Sequence, residues 1–62
     1  MMITREQFKE IQRRMEAGEF DTSDIHTATA AYVFGVPSNN VTRDQRDAAK
    51  QANYIHLYSG GS

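Results

Sequence analysis

Two Thr-x-x-Gln segments, Thr4 to Gln7 and Thr42 to Gln45, constrain this chain more than any other feature. At that spacing the threonine hydroxyl accepts from the backbone N–H three residues on, and the glutamine side chain reaches back to the threonine N–H. Each segment is therefore a capping box that opens a helix. Ile3 and Phe8 stand at the flanking positions of a hydrophobic staple. Beyond the first box, Phe8, Ile11 and Met15 recur at i, i+3 and i+7, giving a narrow apolar face that Gly18 ends as a C′ residue.

A second helix is signalled between the boxes. After a polar connector from Glu19 to Thr22, in which Phe20 is expected to tuck against a helix, Ser23 is expected to cap it. Asp24 then lies in its first turn, at the positive end of the macrodipole. Ile25, Ala28, Tyr32 and Val33 follow at helical spacing and are expected to face the core. Gly35 and Pro37 stop this helix, and Ser38, Asn39 and Asn40 form a turn. The third helix is expected to run to about Tyr58, where Gly60 and Gly61 release the chain. The expected fold is all-α, a small three-helix fragment: one helical segment over 1–62, with 59–62 as a flexible tail or linker.

With 62 residues, such a chain buries only about 60% of the surface its unfolded form exposes, and its stability is marginal. It has no cysteine and only His26 and His56 as imidazoles, which argues against a disulfide or a structural metal and in favour of a partner. The net charge of −1 excludes a general basic coat, so any nucleic-acid contact must be local, near Arg43, Arg46 and Lys50. No apolar run approaches the roughly 18 residues of a membrane span, and no N-terminal signal is present. A soluble, cytoplasmic chain with no membrane contact is expected.

The third helix carries the candidate chemistry. Arg46, Lys50, Tyr54 and Tyr58 follow at a strict spacing of four, which on a helix makes one stripe about 18 Å long, drifting about 40° per step. Two cations are followed by two rings. His26 falls early in the second helix, so if the two helices pack side by side, one imidazole and two cations converge where a polyphosphate can bind. The rings can stack on bases. Spacing alone suits a plainer reading better: Arg46 and Lys50 solvated beside Asp47, a packed tyrosine pair, a satisfied His26 and a surface His56.

A resemblance changes that balance. The run Asp24-Ile25-His26-Thr27-Ala28-Thr29-Ala30, then Val33-Phe34-Gly35-Val36-Pro37, Val41-Thr42, Arg46, Ala48-Ala49-Lys50, Asn53-Tyr54 and Tyr58 closely resembles the fingers of family A DNA polymerases, the bacterial polymerase I and phage type. It covers about 35 residues in register, and the combination in order is specific where each piece is weak.

The resemblance implies that His26, Arg46 and Lys50 contact the triphosphate of an incoming deoxynucleoside triphosphate (dNTP), with Lys50 the most important. It implies that Tyr54 packs on sugar and base, relaxing discrimination against a missing 3′-hydroxyl, and that Tyr58 stacks at the templating position. It further implies a role in DNA replication, with primer–template DNA and a protein partner supplying the palm. The palm carboxylates that hold two Mg²⁺ ions lie outside this segment, so the chain alone is expected neither to bind a metal nor to polymerise.

Asp47, Ile55 and Ser59 depart from the bacterial pattern, which has a basic residue and two glycines there, and a different bend in the last helix is expected. The alternative reading is a small helical interaction module, polymerase-associated or self-associating, resting on the marginal core and on an exposed Phe8, Ile11 and Met15 face.

Overall fold

Both capping boxes form. In the computed structural model, which describes residues 1–59, Thr4 Oγ1 accepts from the Gln7 N–H at 3.0 Å and Gln7 Oε1 from the Thr4 N–H at 2.9 Å. Thr42 and Gln45 repeat the exchange at 3.1 and 3.0 Å. They open α1 (Arg5–Glu16) and α3 (Arg43–Tyr54). Ile3 and Phe8 are both buried, as a staple requires. α1 closes in a Schellman motif: the Glu19 N–H donates to Arg14 O at 2.9 Å and the Gly18 N–H to Met15 O at 3.0 Å, with Gly18 at φ 83°.

The cap of α2 (Ile25–Phe34) is Asp24, one residue later than the expected Ser23. Its carboxylate accepts from the His26 N–H at 3.2 Å and the Thr27 hydroxyl at 2.6 Å, while its own N–H donates to Thr22 Oγ1 at 3.1 Å. Serine and aspartate cap equally well in isolation. What distinguishes Asp24 is its negative charge, which meets both the positive helix end and Arg46 across the seam with α3.

α2 is the central element, packed against α1 on one side and α3 on the other. Ala28, Thr29, Ala30 and Ala31 are buried in succession, so α2 is enclosed on most of its circumference, and its small side chains let both neighbours come close. Ile3, Phe8, Ile11, Phe20, Ala28, Ala31 and Ala52 form the core, with Met15, Ile25, Tyr32 and Val41 packed on it. Phe20 tucks in as expected, under the Arg14 guanidinium 4.7 Å from its ring centroid. Val33 does not face this core. It stands about 200° around the helix from Ala31 and is 38% exposed. Nor is the α1 face open: Ile11 has no accessible surface and Phe8 is buried, so that face does not offer the apolar surface the interaction-module reading looked for there.

The third helix is α-helical only to Tyr54; Ile55–Ser59 continue it as a π-helical turn. The widening begins at Ile55, one of the positions where a different bend is expected. His56, expected at the surface, is instead half-buried. Its ring stacks on Phe8 with centroids 5.1 Å apart, and its Nε2–H donates to Ile3 O at 2.9 Å, since a carbonyl can only accept. The end of the chain's last helical stretch is thereby tied to the start of α1. Gly60 and Gly61 lie outside the described residues. Among the described residues no helix is long and apolar enough to cross a membrane.

Candidate functional site

The seam between α2 and α3 buries Ala49 and Ala52 and also carries a row of polar contacts. Asp24 at the head of α2 meets Arg46 in the first turn of α3, and Thr29 farther along α2 meets Asn53 farther along α3. The two helices therefore run in the same sense along the seam, with their N-terminal ends together, as the convergence of His26 with the α3 cations requires.

The Arg46 Nε–H donates to Asp24 Oδ2 at 2.7 Å. With side chains 42% and 35% exposed, this is a surface pair whose net contribution to stability is small. Its effect is positional: it ties the Arg46 side chain to the head of α2 through Nε. Burial is the largest single influence on the Asp24 carboxyl and works against its charge. The hydrogen bonds from Arg46, Thr27 and the His26 N–H together outweigh it and hold the group down at about 2. Asp24 is ionised at neutral pH and raises the pKa of Arg46, through their hydrogen bond first and their charges second.

His26 is half-buried, and burial lowers its pKa. Asp24 opposes that shift, and the positive charges of Arg46 and Lys50 reinforce it. Arg46 meets Asp24 and Asn53 meets His26, so Lys50, between them in sequence near the same face of α3, lies along the same seam. The net shift favours the neutral ring, whose Nδ1 is 3.0 Å from the Asn53 Nδ2 amide. Asn53 has no accessible surface, and its Oδ1 accepts from Thr29 Oγ1 at 3.2 Å. The Thr29 hydroxyl also donates back to Ile25 O at 2.8 Å.

Lys50 is exposed and, with Asp47, Gln51 and Tyr54, lines an open groove of about 240 Å³. That is below the roughly 300 Å³ at which small-molecule pockets begin, so a ligand here needs a further wall. Tyr54 and Tyr58 are 44% and 73% exposed, with ring centroids 5.3 Å apart and planes tilted by 46°. A cleft of similar size between the connectors, lined by Phe20, Asp21, Pro37 and Asn39 among others, contains none of the predicted residues.

The structure thus gathers His26, Arg46 and Lys50 and leaves Tyr54 and Tyr58 exposed beyond them. Sequence reasoning gave Asp24 only a helix-end charge and gave Asn53 no role. The available signal was register: Asn53 lies seven residues after Arg46 and three after Lys50, close to one face of α3. Among the described residues no three His, Asp or Glu side chains gather to hold a metal, and Asp24 is already engaged by Arg46 and Thr27. These residues do not fit a two-Mg²⁺ centre.

A family model described as DNA polymerase family A matches residues 5–62. DNA polymerase I of Pseudomonas aeruginosa is 54% identical over 35 residues, which cover 56% of this chain and 4% of that protein. The chain thus aligns to a small part of that relative's length. No solved structure matches the chain.

Proposed function

The chain belongs to DNA polymerase family A, and from that premise we propose that it is a piece of the fingers that contributes dNTP contacts and template stacking to a polymerase active site during DNA replication. The observation that carries this reading is the pair of contacts, Arg46 to Asp24 and Asn53 to His26, that sets His26 against the face of α3 that carries Arg46 and Lys50. Arg46 offers a planar fork and Lys50 a mobile point charge to phosphate oxygens. Tyr54, beside Lys50 in the same groove, offers a ring to sugar and base, and Tyr58 offers an exposed face for the template. Primer–template DNA and a chain carrying the palm complete the site. Mg²⁺ belongs to that completed polymerase.

Equilibrium binding of a dNTP to the purified chain tests this. Saturable binding that Lys50→Ala weakens about tenfold, the scale of one charge-assisted hydrogen bond, is expected, with no primer extension by the chain alone. Binding indifferent to Lys50→Ala, or primer extension by the 62-residue chain, would overturn the reading.

A further inference from the structure

Asn53 is the buried polar side chain whose purpose the fold does not explain. A helix interior disfavours asparagine, and a small apolar residue like the adjacent Ala52 would fill the seam without polar atoms to satisfy. Its two ends are chemically different and are used differently. The oxygen faces Thr29 Oγ1 at 3.2 Å, and the NH₂ group faces His26 Nδ1 at 3.0 Å. With the amide N–H donating across this contact, Nδ1 presents its lone pair and the neutral ring carries its proton on Nε2.

We propose that Asn53 is a positioning residue for His26: by donating to Nδ1 it fixes the ring's orientation and keeps it as the Nε2–H tautomer, a ready donor to an anionic ligand held by Arg46 and Lys50. Resting on the triphosphate reading above for the ligand, the inference assigns a role to a residue that touches no ligand itself. Thr29 Oγ1 holds the other end of the amide at 3.2 Å, its one proton shared between Asn53 Oδ1 and Ile25 O at 2.8 Å. The arrangement lets His26 contribute a hydrogen bond without a charge, beside two cations that disfavour a third. The charged groups facing the ring are Asp24 on its own helix and Arg46 and Lys50 on α3.

The direct test is ¹⁵N NMR of the labelled full chain without ligand. A ¹⁵N–¹⁵N coupling across the Asn53 Nδ2–H···Nδ1 bond is expected, with His26 Nδ1 unprotonated and Nε2 protonated. Absence of that coupling, or a protonated Nδ1 at neutral pH, overturns the proposal whether or not the chain binds nucleotide.

A second arm uses Asn53→Asp, whose carboxylate accepts from Nδ1–H and turns a lone pair at Nε2 toward the ligand. With inorganic tripolyphosphate as probe, the ratio of variant to wild-type affinity is expected to fall about tenfold as pH rises and the variant's imidazolium deprotonates. A pH-independent ratio would overturn the positioning role. If the coupling is present but tripolyphosphate does not bind, the triphosphate reading fails while the tautomer assignment stands.

Discussion

The two sides of α2 are built on different physics. Toward α1 the contact is apolar: Phe8, Ile11 and Phe20 close on Ala28 and Ala31 and are shielded from water. Toward α3, beside the buried Ala49 and Ala52, it adds a line of hydrogen bonds running from Asp24 and Arg46 through His26 to Asn53 and Thr29. Apolar burial is non-directional and stabilises in proportion to area, whereas a hydrogen-bonded seam contributes little net energy but dictates which atom faces which. The α1 side accordingly supplies stability and the α3 side supplies orientation. Residues that act on a ligand belong on the second.

The largest expected effect lies on the apolar side. Ile11→Ala empties a fully buried position and should cost about 2–5 kcal/mol, enough to unfold much of so small a chain, as read by chemical denaturation. Thr29→Val keeps shape but strips the donor from Asn53 Oδ1, at a cost of about 1–3 kcal/mol. A loss as large as that of Ile11→Ala would show that the polar seam also dominates stability and would break the comparison. Asp24→Ala removes the α2 cap and should cost about 1 kcal/mol in the same assay.

Acid titration sharpens the same point. The Asp24 carboxyl is depressed to about 2 from an unfolded value near 3.8, so its stabilisation is complete above about pH 4 and is lost as pH falls toward 2. Asp24→Ala should flatten that part of the stability curve. His26, also depressed, lowers stability as pH drops below its ordinary value, because the unfolded chain takes up the proton first. The smallest effect is expected at the exposed end of the stripe, where Tyr58→Ala should change stability by less than about 0.5 kcal/mol.

What was legible in the sequence was local. The two capping boxes, the staple and the Gly18 and Gly35 stops involve residues a few positions apart, and each forms as its spacing requires. The family resemblance was legible for the same kind of reason, as residues in order along one chain. What escaped depends on contacts between helices. Ser23 and Asp24 are both good caps until Arg46 arrives from α3. Val33 matches a core period until the buried succession Ala28 to Ala31 sets which way α2 faces. Asn53 reads as one more polar helix residue until His26 and Thr29 close over it, and His56 reads as surface until Phe8 stacks on it. The π turn at Ile55–Ser59 has no periodic signature in so short a stretch.

The most direct test of the account is an amide NMR titration of the labelled chain with a dNTP and Mg²⁺. The account predicts dispersed signals that shift at His26, Arg46, Lys50 and Tyr54 while Phe8 and Ile11 on the α1 side stay in place. A dispersed spectrum in which the α2–α3 seam does not respond, or in which the largest shifts fall on α1, would contradict it.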